Sequence, residues 1–200
     1  MSAIVATLVG TITCIGINAL KGKFKTTYMA INNIPLMNSD LVTGLSLMLV
    51  FISVGWKFGF STILVAHITF NIPYVIFSVL PKLRQSSDTL YEAALDLGCT
   101  PWSAIKKVII PDIMPGIVSG FILAFTLSLD DFVISWFAAD GVQNLSIYVY
   151  GIARRGINPK INALSTLMFV AVISLLLIVN IKTIREERKM AEQAKKRITH

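Results

Sequence analysis

Residues 2–20, SAIVATLVGTITCIGINAL, carry no charged side chain. At about 1.5 Å of rise per residue, a helix of this length nearly covers the roughly 30 Å hydrocarbon core of a bilayer, so the stretch reads as a membrane-spanning helix. Lys21, Lys23 and Lys25 follow it instead of preceding it, and no small-residue cleavage site closes it, which argues against a secretory signal. Four more apolar stretches lie downstream at about 41–56, 58–80, 113–139 and 161–184, the first two of these separated by little more than Lys57. The composition agrees: among 200 residues 54% are hydrophobic and 14% charged, at a mean hydropathy of +0.71. A soluble domain has about 25% charged residues and leaves much of its surface in water. The expected fold is therefore all-α and polytopic, with about five transmembrane helices in a membrane domain over 1–184 and a basic tail over 185–200.

Eighteen Lys and Arg against eleven Asp and Glu give a net charge of +7. With the C-terminus in the cytoplasm, fourteen basic residues fall in inside segments, and only Lys57, Arg154, Arg155 and Lys160 fall outside. The positive-inside rule fixes that orientation and accounts for the basic excess without nucleic acid. It also places Met1 outside with no basic anchor ahead of it, so a further upstream helix is expected. Trp56, Trp136, Tyr148 and Tyr150 lie near the expected outer boundaries, where amphipathic rings anchor. In the third stretch, His67, Asn71 and Pro73 require a local break or a protein-facing side. In the fourth, Gly116 and Gly120 have the spacing that lets another helix approach closely.

Residues 81–112 are too polar for the bilayer and are patterned as two short helices. Asp88 or Thr89 caps the first, with Glu92 completing a capping box from Thr89, and Gly98 supplies a left-handed stop. Thr100 caps the second, Pro101 occupies its first turn and Pro111 ends it. Leu90, Ala94 and Leu97 share one side of the first helix, while Ala93 and Ala94 leave room for a close neighbour. The hairpin reads either as an interfacial element lying on lipid headgroups or as a cytoplasmic knob that meets a partner.

Asp130 and Asp131 interrupt the fourth stretch. A carboxylate in hydrocarbon costs several kcal/mol, so at least one of the pair must face protein or water. Two readings stand: a pathway for a cationic solute, or a salt bridge or helix cap at the outer interface. Cys14 and Cys99 suggest neither a disulfide framework nor a metal site. There is no glycine-rich phosphate loop ending in Gly-Lys-Ser/Thr, so energy has to come from elsewhere. An intramembrane hydrolase would need Ser128, Asp130 and His67 brought together from different stretches, and His67 reads more readily as a helix–helix hydrogen-bonder.

Glu92-Ala93-Ala94, with Gly98 four residues on and Ile109-Ile110-Pro111 beyond, resembles the EAA loop of binding-protein-dependent ABC importer permeases; Ile110-Pro111 stands where that family has Leu-Pro. The run 128–135, SLDDFVIS, is similar to the corresponding segment of spermidine/putrescine permeases of the PotC type. So are Thr43-Gly44-Leu45-Ser46 after Asp40, Ala66-His67-Ile68-Thr69-Phe70 with Pro73, and Arg154-Arg155-Gly156 with Pro159 and Ile161-Asn162-Ala163-Leu164. The resemblance spans nearly the whole chain, although the family usually has one more helix before the equivalent of 2–20. It implies a non-catalytic, cofactor-free permease subunit of the bacterial cytoplasmic membrane, with Glu92, Ala93, Ala94, Gly98 and Pro111 as the ATPase-coupling residues. Its implied partners are a dimer of ATP-binding subunits, a second homologous permease subunit and an extracytoplasmic polyamine-binding protein. The alternatives are another small solute within the same family, or a channel or secondary carrier not driven by ATP. The latter would not need the hairpin and should show internal repeats.

Overall fold

In the computed structural model, the described residues are 1–20, 22–85, 88–154, 159, 162–174, 176–177 and 181. The basic tail over 185–200, His200, Arg155 and Lys160 lie outside them. The chain divides into two compact units, Met1–Tyr150 and Gly151–His200. Among the described residues every regular element is helical.

The first unit is built around α4 (Phe60–Gln85), a 26-residue helix. On one flank of α4 lie α1 (Ser2–Ala19) and α8 (Met114–Asp130); on another lie α3 (Asp40–Val54) and α9 (Val133–Ala138). Two apolar cores result. Val75, Ile76 and Val79 of α4 pack with Cys14, Ile17 and Ala124, while Ile63, Ala66 and Phe70 pack with Phe51, Ile134 and Ala138. Pro73 and Pro81 both sit inside α4, which stays one continuous helix instead of breaking at Pro73. The polar residues nearby meet the other half of the expectation, since His67 and Asn71 are buried against neighbouring helices. Pro81 therefore does not open the hairpin; α4 carries on to Gln85.

The expected small-residue contact is present. A Cβ at Gly116 would lie 3.1 Å from Lys82 Cβ, and one at Gly120 would lie 3.4 Å from Val75 Cγ1. Gly10 of α1 approaches the same Val75 methyl, and a Cβ there would come within 2.8 Å of its Cγ1. Small residues thus let α1 and α8 close on one α4 valine, the route by which helices associate where lipid offers no hydrophobic driving force.

By length and composition, α1 and α4 can each cross a membrane, and two bent helix pairs would raise the number of crossings to as many as four among the described residues. The first pair is α2 (Lys23–Met37), a helix that lies between the first two apolar stretches, with α3, bent by 108°. Phe24, Tyr28 and Ile31 form an exposed apolar stripe along α2 at helical spacing, and Ser39 caps α3 by accepting from the Val42 amide. The second pair is the hairpin's second helix with α8, bent by 69°. At the end of α3, Gly55 turns left-handed at φ +69°, and Trp56 packs edge-on against Phe51 with ring centroids 5.9 Å apart. In the second unit, α11 (Asn162–Ser174) is a shorter apolar helix.

Candidate functional site

The hairpin between α4 and α8 starts with α5 (Asp88–Asp96). Its stop is a two-bond Schellman turn. Gly98 has φ +83°, its amide donates to the Leu95 carbonyl, and the Cys99 amide donates to the Ala94 carbonyl. The Thr100 side chain then accepts from the Ser103 amide and starts α6 (Pro101–Ala104). A wider π turn follows over Ile105–Ile109, and α7 (Ile110–Asp112) after it. Pro111 stands in the last turn of this helix, which stops at Asp112 as the sequence leads one to expect, and the chain bends at Ile113 before α8. The π turn explains the burial pattern, because Ala104, Ile109 and Ile113 are the buried positions and their spacing is five and then four.

Within α5, Ala94 is buried while Glu92 and Ala93 are exposed. Leu90 and Leu97 do not share the burial of Ala94; they are 44% and 86% exposed. Tyr91 is the α5 side chain that packs on the first core. Ala94 thus closes the hairpin internally, and the outward face offers Leu90, Glu92, Ala93 and Leu97. The side chains of Asp88 and Thr89, and with them the expected capping box, lie outside what the structure describes.

The second site lies where the fourth apolar stretch breaks. α8 ends at Asp130 and α9 begins at Val133, so the acid pair sits at an interruption and not on the two faces of one continuous helix. No proline or glycine forces a break in Leu129-Asp130-Asp131-Phe132; the freed backbone groups find partners in a local cap and in residues from further along the chain. The Asp131 carboxylate accepts from the amides of Ile134 (3.2 Å) and Ser135 (3.1 Å) and so caps α9. The Asp131 carbonyl accepts from the hydroxyls of Ser135 (2.9 Å) and Ser146 (2.8 Å). Asn144 donates to Ser135 Oγ at 2.6 Å, and its own side-chain oxygen accepts from the Ile147 amide at the start of α10 (Leu145–Ala153).

His67 joins this network from α4. Its Nε2 lies 2.8 Å from Ser135 Oγ and 3.5 Å from Asp131 Oδ2, and its Nδ1 lies 3.2 Å from Ser128 Oγ, which in turn meets Ser2 Oγ at 2.8 Å. Ser135 has one proton and gives it to the Asp131 carbonyl. The chain of bonds therefore closes when His67 donates from Nε2 and accepts at Nδ1. Asp130, one residue away, is exposed at the end of α8.

Of the acids singled out in the sequence, the structure thus draws Asp131 into a buried network and leaves Asp130 outside it. Ser128 and His67 do meet, but with Asp131 in place of Asp130, and with His67 Nε2 bonded to Ser135. Sequence reasoning missed Ser2, Ser135, Asn144 and Ser146. For Asn144, and for Asp131 as the cap of α9, the sequence holds a usable signal: an Asp or Asn three residues ahead of an amide at a helix start, here Ile147 and Ile134, is a capping pattern. Trp56, Trp136, Tyr148 and Tyr150 are all exposed, and Phe132 stacks on Tyr150 with centroids 4.0 Å apart.

Residues 5–185 match the family described as binding-protein-dependent transport system inner membrane component. Among curated proteins, the chain is 34% identical over 178 residues to the spermidine/putrescine transport system permease protein PotC of Haemophilus influenzae, covering 88% of this chain and 69% of that one. It is 32% identical over 188 residues to PotC of Escherichia coli K12, covering 94% and 70%. With the putrescine transport system permease protein PotI of the same strain it shares 45% identity over 145 residues, covering 69% of this chain and about half (52%) of PotI. The matched region takes in α1, α4, the hairpin and the broken α8–α9 segment together, and the chain belongs to the inner membrane permease components of binding-protein-dependent transport systems.

Proposed function

We propose that this chain is the permease subunit of an ATP-driven importer that moves spermidine and putrescine across the bacterial cytoplasmic membrane. The observation that carries the substrate class is the likeness, over 88% and 94% of the chain, to two permeases named for spermidine and putrescine. Its partners in this reading are two ATP-binding subunits, a second homologous permease and an extracytoplasmic polyamine-binding protein; it catalyses no bond cleavage itself. The chain crosses the membrane about five times, with its C-terminus inside. A reporter fused after His200 or near Gln85 is expected to read cytoplasmic, and one near Asn144 external. Finding Gln85 outside would remove the basis for a coupling hairpin.

Coupling runs through α5. Glu92 and Ala93 face outward, Ala94 closes the hairpin on itself, Gly98 sets the angle between the two arms, and Pro111 begins the last turn before α8. ATP-driven closure of the partner pair would move this rigid unit and, through α8, the break that follows it. Coupling in this sense is a two-state equilibrium biased from both ends.

Geometry divides the acid pair. Asp131 sits at the positive N-terminal end of α9 with its charge satisfied, whereas Asp130 adds a carboxylate to the negative C-terminal end of α8. Negative potential concentrated there favours a cation, so Asp130 is the member of the pair that faces the polyamine path. Vesicles containing the whole complex should accumulate labelled spermidine and putrescine only with ATP and binding protein. Accumulation without an ATPase would favour a carrier or channel, and accumulation of a different solute alone would displace the substrate.

A further inference from the structure

Asp130 is held in place by the chain on either side of it. Two residues before it, Ser128 bonds His67 Nδ1; one residue after it, Asp131 faces His67 Nε2 at 3.5 Å, and Ser135 bonds the same nitrogen at 2.8 Å. His67 is thus an α4 side chain that grips both halves of the broken helix at once, and it is 3% exposed. Chains of hydrogen bonds in a low-dielectric interior reinforce one another and are rigid when fully satisfied. A site held to within about 0.5 Å by such a shell differs functionally from the same residues loosely placed.

We infer that His67 is the positioning residue of the cation path: it touches no substrate, and by fastening Ser128 and the Asp131–Ser135 cap to α4 it fixes where Asp130 presents its carboxylate. The inference rests on the reading of Asp130 as a path residue. Two alternatives are simpler. His67 can be a packing residue, whose loss lowers the amount of assembled complex and nothing else, or the break can be held by Asn144 and Ser146 alone, which pin Ser135 and Asp131 without α4.

The test is ATP-driven uptake of spermidine and of putrescine, each divided by the amount of assembled complex, for H67A, H67Q, S135A, D130N, D131N and the H67A/D131N double variant. Spermidine carries one more positive charge than putrescine, so a displaced carboxylate penalises it more. H67A should lower the spermidine-to-putrescine ratio about threefold, in the same direction as D130N, and H67A/D131N should be no worse than the stronger single variant, because both act through one network. H67Q, which can reach Ser135 with an amide donor, should restore most of the ratio. An unchanged ratio in H67A, or full additivity with D131N, overturns the inference. If H67A does not assemble, S135A decides: it leaves the ring in place and should shift the ratio in the same direction, and an unchanged ratio there overturns the inference equally. A normal D130N together with a normal H67A removes the path reading itself, whereas an impaired D130N with a normal H67A removes only the role of His67.

Discussion

Replacing Gly98 by valine should abolish most coupled uptake while leaving the chain in the membrane in normal amount. At φ +83° an ordinary residue pays about 1–2 kcal/mol, and a β-branched one more. A Cβ built at this position meets no atom within 4 Å, so none of the penalty is steric crowding that a neighbour can relieve. It falls on the two bonds of the Schellman turn, and the chain escapes it by opening the angle between α5 and the second arm. An ATPase seated on α5 then loses its geometry; each 1.4 kcal/mol is about tenfold in association. Co-purification of ATP-binding subunits is therefore expected to fall by about tenfold, Gly98→Ala less, and Gly98→Asn least, since Asn enters the left-handed region more readily. Membrane content, measured by quantitative blot, should not change. Normal ATPase association and normal uptake with valine at this position would show that the turn plays no part in coupling.

The second large effect is expected at the acid pair, and the two members should behave differently. Asp130→Asn removes a charge from an exposed carboxylate at the end of α8, so uptake per assembled complex should drop by about tenfold for spermidine and less for putrescine. The Coulomb attraction of one charge pair at an effective dielectric near 20 is amply large for this. Asp131→Asn keeps a side-chain oxygen that still caps α9, and Asn is itself a good cap. It loses the charge facing His67 and one of two acceptor oxygens. Less complex should assemble, and what assembles should also transport more slowly; the double change should be worst. If both single variants transport normally per complex, the carboxylates only tie helices together, and the cation path must run elsewhere.

The parts of the molecule that the sequence announces are those whose cause is local. The charge-free run at 2–20 specifies a helix through composition and length alone. Gly98 and Thr100-Pro101 mark the hairpin's turn because left-handed backbone and helix capping are properties of single residues. Gly116 and Gly120 are legible for a related reason, since absence of a side chain is what close approach requires. The break at Asp131 is not legible in that way. No proline or glycine stands there, and the apolar pattern runs through it; the local Asp131 cap on Ile134 and Ser135 is held by His67, 68 residues before Ser135, and by Ser146, 15 residues after Asp131. Depth in the membrane said that the acids need a partner, and the capping pattern ahead of Ser135 could have said which acid has one.

The widened turn at Ile105–Ile109 has a consequence for how the hairpin tolerates changes in length. A π turn is a single added residue carried by an otherwise α-helical segment, and it is what separates Ala104 from Ile109 by five positions. Deleting one residue among Lys106, Lys107 and Val108 would therefore close the turn to ordinary α pitch, bring the two buried positions four apart and leave Ile113 in register. The same deletion between Ile109 and Ile113 would rotate the bend, and α8 beyond it, by about 100° against the core. A one-residue deletion in this hairpin is therefore absorbed at the bulge, where the buried positions keep their register, and not beyond it.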